Sequence, residues 1–172
     1  EVTTKCKEKK INILDVNQVK KIDIDNSKIS FLNSFIPLSD DKNEHSIVTL
    51  IQYNDINILL MGDATVNNED ILLKRYNLPK IDILKVGHHG SRTSSSKLFI
   101  KDIEPKISLI SSGKNNKYHL PNLDVIQRLK YYGSKVFDTQ DNGELTINLD
   151  EEVYIVYRDN LNQKSLARES VS

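Results

Sequence analysis

The chain is poor in the residues that most often announce a chemistry. Among 172 residues there is one cysteine, Cys6, with four histidines, six glycines and four prolines. A single cysteine excludes an internal disulfide framework and a thiolate metal cluster. Cys6 therefore reads as a bystander near a terminus and says little about redox compartment. No apolar run approaches the roughly 20 residues that a membrane helix needs, so the chain carries no membrane span of that kind. The formal net charge is zero, which argues against a surface covered in basic residues for nucleic acid. The first residue is Glu1, and no basic region followed by an apolar stretch marks a signal peptide. The chain is accordingly expected to be a processed product or a fragment rather than a complete reading frame.

What is present fits one soluble globular domain, with 38% hydrophobic and 28% charged residues. The charge is unevenly distributed. From Ile36 to Asp70 seven acids face one lysine, whereas from Lys85 to Lys117 seven bases face two acids. That second segment holds two of the four histidines, so it reads either as a solvated lysine-rich surface or as a rim that faces an anion.

Hydrophobic patterning predicts alternating strands and helices. Strands are expected at Lys28 to Phe35, Ser46 to Tyr53 and Ile56 to Met61, the last two joined by an Asn54-Asp55 hairpin turn. A helix is expected from Thr65 to Tyr76, with Glu69 and Asp70 early and Lys74 and Arg75 late, as the helix dipole prefers. A strand follows at Ile81 to Val86, a helix from Ser94 to Ile103 that stops before Pro105, and a strand at Lys106 to Ser111. Asn122 can cap a helix running to Tyr132, with Val125, Ile126 and Leu129 on one face and Gly133 as its stop. Three strands close the series, at Lys135 to Phe137, Glu144 to Leu149 and Glu152 to Tyr157. Asp141-Asn142-Gly143 reads as a turn, and Asp150-Glu151 as a hairpin connection. The expected divisions are 1–27 as an N-terminal extension or partial strands, 28–158 as the domain, and 159–172 as a disordered tail.

This alternation implies an α/β or α+β layered architecture, a mixed sheet with helices packed on it. In such folds ligands gather beyond the carboxyl ends of strands. Two sequence features lie there. INILLMGD ends on Asp63, and KVGHHGSRTSSS, from Lys85 to Ser96, sets His88 and His89 at the end of an apolar run before a hydroxyl-rich loop.

In serial order, LLMGD, IDILKVGHHGSRTSSS and ISLISSGKNNKYHLPN, preceded by NEHSIVTLIQY, resemble the competence-protein (ComEC-type) branch of the metallo-β-lactamase-fold hydrolases. The resemblance covers roughly residues 29–149. It implies the C-terminal half of an αββα sandwich and divalent metal ions, zinc or manganese, two in a complete domain. Asp63 matches the carboxylate that bridges two metals, one oxygen to each ion; the competing reading is a cap on the helix that begins near Thr65. His88 and His89 match the branch's histidine pair, which would line the site beside a phosphate or the metal-bound water. Adjacent residues on an extended segment point oppositely, so only one of the two is expected to face the site. Arg92 joins them as a catalytic candidate. Gly90, Ser91, Thr93, Lys114 and Asn115 are candidate substrate contacts, against turn, cap or solvated-surface roles. Gly87 and Gly90 would let the backbone approach a ligand closely, or would merely permit the turn.

Two departures bear on activity. The superfamily's first metal motif, H-x-[HD]-x-D-H, is absent, and no histidine could replace it except His45, which sits alone in Asn43 to Ser46 and reads as a surface or loop histidine. The branch also places a histidine directly before the proline at Pro121, where this chain has Leu120 and carries its histidine one position earlier, at His119. His119 is the second candidate metal ligand. The resemblance implies part of a metal-dependent phosphodiesterase or nuclease acting on DNA in DNA uptake. The alternative is a degenerate or truncated module that binds or supports without catalysis. Expected partners are DNA or another phosphate-bearing anion and a missing N-terminal half or membrane channel domain. The expected location is the extracytoplasmic face of the membrane in a ComEC-type protein, and otherwise the cytoplasm.

Overall fold

A computed structural model describes residues 2–16, 18–32, 39–150, 153–160 and 163–170. The chain opens with a short helix α1 (Val2–Glu8) and a hairpin of β1 (Lys21–Ile24) and β2 (Ser27–Leu32). The strand expected from Lys28 to Phe35 is thus seen as β2, and positions 33–35 lie outside the described residues. A single 3-10 turn, Lys42–His45, leads into β3 (Val48–Tyr53) and β4 (Ile56–Leu60). The Asn54-Asp55 link between these strands holds Asn54 in the left-handed region at φ 48°, a conformation that asparagine tolerates well.

Three strand-helix-strand units follow: β4 to α2 (Val66–Arg75) to β5 (Ile83–Lys85), then α3 (Lys97–Ile103) to β6 (Ile107–Ile110), then α4 (Leu123–Tyr131) to β7 (Lys135–Asp138). The sheet runs β1-β2-β3-β4-β5-β6-β7, antiparallel as far as β4 and parallel from β4 to β7. This is the mixed sheet with helices that the alternation predicted. Sequential parallel strands joined by right-handed crossovers put their helices on one face, and α2 touches α3 as α3 touches α4.

Each helix buries one stripe on that face. Leu72 of α2, Phe99, Ile100 and Ile103 of α3, and Val125 and Leu129 of α4 close over Leu59, Leu84, Val86 and Ile110 of the sheet. Burial of such side chains is worth about 1.5–3 kcal/mol each. Ile126, expected to share the Val125 and Leu129 face, packs against this core while only partly buried.

After a one-turn helix α5 (Thr139–Asn142), the chain forms β8 (Glu144–Asp150), β9 (Val153–Asn160) and β10 (Gln163–Ser170), an antiparallel three-strand sheet. Leu145, Ile147 and Leu149 of β8 pack against Ile107 and Phe137 on the side of the main sheet away from the helices. Two local expectations change here. The Asp141-Asn142-Gly143 turn is the end of α5, which begins at the Asp138 cap, whose carboxylate accepts the Gln140 N–H at 3.0 Å. The stretch expected to fray beyond Asp159 carries β10, paired along its length with β9. A backbone ladder needs no hydrophobic period, and the polar sequence there showed none. Among the described residues no helix is long and apolar enough to cross a membrane.

Candidate functional site

The carboxyl ends of β4, β5, β6 and β7 lie side by side, because these four strands are parallel neighbours. They deliver Asp63, the histidine pair, Ser111-Ser112 and Asp138-Thr139 to one edge of the sheet.

Asp63 does not cap α2. Thr65 is the N-cap residue, and the Asn68 side chain accepts the Thr65 N–H at 2.8 Å. Asp63 is held instead through its own N–H, which donates to Ser46 Oγ at 3.1 Å. Gly62 makes the turn possible at φ 58°, and a Cβ there would lie 3.4 Å from Ser46. The carboxylate is left half exposed at the sheet edge.

The histidine pair is not extended. His88 (φ 45°) and His89 (φ 52°) both occupy the left-handed region, in a turn from Gly87 to Gly90. Two consecutive non-glycine residues in this region cost about 1 kcal/mol or more each, a strain typical of functional sites. The turn is held by the His88 N–H donating to the Gly62 carbonyl at 3.0 Å and by Ser94 Oγ donating to the Gly87 carbonyl at 2.8 Å. Its glycines meet protein rather than an open cavity. A Cβ on Gly87 would lie 2.9 Å from the Ala64 carbonyl oxygen, and one on Gly90 would lie 2.8 Å from Pro121 Cβ. Gly90 is buried and serves the turn, not an exposed contact.

The two rings take different partners, and the left-handed turn, not an extended strand, sets their directions. His88 Nδ1 lies 3.2 Å from Thr93 Oγ1, which in turn lies 3.0 Å from Ser91 Oγ. His89 Nδ1 lies 2.7 Å from the Ser111 carbonyl oxygen, and its Nε2 lies 3.4 Å from Asp63 Oδ1. A carbonyl oxygen only accepts, so Nδ1 carries a proton, and Nε2 is left facing the carboxylate. The two groups face each other across 3.4 Å at side chains about half exposed, 48% and 47%. A proton on Nε2 or a cation between the two groups satisfies both.

Lys85, which precedes this turn on β5, was missed as a site residue because it reads as one base among several. Its ammonium donates to the Val86 carbonyl at 2.9 Å. Burial pushes its pKa down, and the nearby Asp63 charge opposes that shift. The loop beyond the histidines is anchored by Glu69 of α2, whose buried carboxylate accepts the N–H groups of Ser95 and Ser96. Burial raises the Glu69 pKa, and these hydrogen bonds and Arg128 act against the rise. The helix expected from Ser94 starts only at Lys97, since Ser94 is tied to the Gly87 and Ser91 carbonyls, Ser95 gives its N–H to Glu69, and Ser96 is the cap.

The other predicted residues fall at the rim. Arg92 is exposed and pairs loosely with Asp124 of α4 at 4.0 Å. Lys114 and Asn115 are exposed on the loop after β6, where Asn115 takes φ 54°. Asn116 organises that loop: its Nδ2 donates to the Gly113 and Leu120 carbonyls, and its Oδ1 accepts from the Tyr118 and Leu120 N–H groups. His119 is exposed, and it does not join Asp63 and His89 in a cluster; among the described residues no three His, Cys, Asp or Glu side chains gather as a metal site. His45 is exposed in the 3-10 turn.

A hydrolytic zinc centre takes three protein ligands and a structural one four. Asp63 and His89 would supply two, so the pair fits part of a metal site.

No family model matches the chain. It is similar to several curated bacterial proteins. It is 41% identical over 106 residues to Recombination protein 2 of Haemophilus influenzae, covering 62% of this chain and 13% of that protein. It is 32% identical over 140 residues to ComE operon protein 3 of Bacillus subtilis, covering 81% of this chain and 18% of that protein. It is 34% identical over 111 residues to Competence protein ComA of Neisseria gonorrhoeae, covering 63% of this chain and 16% of that protein. The chain thus spans less than a fifth of the length of the relatives it matches.

Proposed function

We propose that this chain belongs to a competence protein and forms one flank of a metal-dependent hydrolase site of the metallo-β-lactamase fold, a phosphodiesterase or nuclease acting on DNA during its uptake. The observation that carries the reading is the facing of the Asp63 carboxylate and His89 Nε2 at 3.4 Å, at the carboxyl ends of adjacent parallel strands. The similarity to Competence protein ComA agrees with the biological setting.

Asp63 and His89 would contribute two ligands to zinc or manganese, and the remaining ligands would come from parts of the longer protein. Such ions bring the pKa of a bound water to about 7. The chain's own residues hold the ion on one side and offer His88, Ser91, Thr93 and Lys85 to an anionic phosphate beside it, with Lys114 at the rim. A second reading is a non-catalytic binding or structural module, favoured by the missing third ligand among the described residues and by Leu120 in place of a histidine.

The test is metal content and DNA phosphodiester cleavage in the purified longer protein, compared among the parent, Asp63→Ala and His89→Ala. The hydrolase reading predicts bound divalent metal and cleavage that falls at least about 100-fold in both variants. Cleavage retained in Asp63→Ala removes the ligand role. A metal-free, inactive parent leaves the binding module as the function.

A further inference from the structure

The Ser111 carbonyl that sets the His89 tautomer is itself clamped from the neighbouring strand. Thr139 Oγ1 accepts the Ser112 N–H at 2.9 Å and donates to the Ser112 carbonyl at 2.8 Å, so one hydroxyl engages both backbone groups of the next residue. Ser112 Oγ donates to Asp138 Oδ1 at 2.6 Å, and Asp138 is buried. Three hydrogen bonds therefore hold the peptide after β6 to the end of β7.

We infer that Thr139 and Asp138 are positioning residues for His89. By fixing Ser112 they aim the Ser111 carbonyl at Nδ1, hold the proton there and keep the Nε2 lone pair turned to Asp63. A metal-ligating histidine commonly has its other ring nitrogen held in this way by an outer partner. Here the holder is a backbone carbonyl whose aim depends on a side-chain clamp three strands away from Asp63's own. The clamp gives a physical role to the Ser112 hydroxyl and to the β7 end, neither of which belongs to the metal-capable pair. The inference deepens the proposed hydrolase site and rests on that reading for its use, although the tautomer itself exists without any metal.

The experiment is nitrogen-15 NMR of the full chain labelled at histidine, recorded well above the ordinary histidine pKa of about 6.5 so that every ring is neutral. The parent is expected to show His89 as the Nδ1–H tautomer, assigned by loss of its signals in His89→Gln. Thr139→Val keeps the shape and removes the hydroxyl; it is expected to shift His89 to a mixture or to the Nε2–H form, while Thr139→Ser restores the parent signal. Asp138→Ala is expected to move the same ring in the same direction. The His45 ring is the internal control and should not move. A parent His89 in the Nε2–H form overturns the inference, and so does an unchanged His89 tautomer in folded Thr139→Val and Asp138→Ala. If Thr139→Val does not fold, the parent tautomer and Asp138→Ala decide. Failure of the hydrolase reading looks different: the tautomers behave as stated, but the longer protein neither binds metal nor cleaves DNA.

Discussion

His89 Nε2 stands 3.4 Å from Asp63 Oδ1 while the Nδ1 of the same ring is engaged by the Ser111 carbonyl at 2.7 Å. One side chain is thereby given two unlike tasks, a fixed donor on one edge and a nitrogen turned to a carboxylate on the other. Both edges meet backbone or side chains from the ends of adjacent strands, so the arrangement depends on the parallel register of β4, β5 and β6.

The left-handed turn should cost stability that function retains. Glycine occupies φ 45° without strain, so His88→Gly is expected to raise folding stability by about 0.5–1 kcal/mol, read as a higher urea midpoint. The same variant loses the contact to Thr93 and is expected to lower any phosphodiesterase activity of the longer protein. A lower midpoint would show that the His88 side chain contributes more than the backbone strain costs.

Gly87 tolerates no side chain for a steric reason. Its added Cβ would meet the Ala64 carbonyl at 2.9 Å, and that carbonyl belongs to the backbone between β4 and α2. Gly87→Ala is expected to destabilise by about 1–3 kcal/mol, as overpacking does. Gly113→Ala, which meets nothing within 4 Å, is the matched control and should change stability little.

Glu69 and Glu44 should oppose each other as pH changes. Glu44, whose pKa is lowered first by the Ser39 hydroxyl and then by Asn67, gives stability that is present above the unfolded carboxyl value of about 4.3 and is lost as pH falls through its folded value. Glu69, raised by burial, favours folding below about 4.3 and loses that contribution as pH rises through its folded value. Urea midpoints of Glu44→Gln and Glu69→Gln across this acid range should therefore change the slope of stability against pH in opposite directions. Equal slopes in both variants would contradict the assignment.

Removing the Glu69 carboxylate altogether leaves the Ser95 and Ser96 N–H groups without their acceptor. Glu69→Ala is expected to destabilise by about 2–4 kcal/mol. It should also loosen the loop from Ser91 to Ser96, read as faster hydrogen exchange there than in β6.

Much of this fold was legible because β3 to β7 and their helices carry clear hydrophobic periods, and Asn54-Asp55, Asn122 and Gly133 mark their ends. β10 was not, since a backbone ladder on a polar sequence leaves no periodic trace. Asp63, His88 and His89 stood out by residue type and by their place at strand ends. The polar groups around them did not: Ser46 and Thr139 act through single hydroxyls whose partners lie 17 and 27 positions away, set by strand order, which no local pattern reports. Asn116 works within its own loop, on partners up to 4 positions away, where no hydrophobic period marks it. Asn115 was singled out where Asn116 closes the loop, because the two neighbours are chemically identical and only the backbone direction separates them.

The proposed site has Asp63 and His89 receive a cation together. Manganese titrated into the isotope-labelled chain broadens signals near the ion; the His89 ring and the Asp63 carboxylate are expected to broaden first, with the effect abolished in Asp63→Asn. Broadening that begins at His119 or His45, or that persists unchanged in Asp63→Asn, would contradict it.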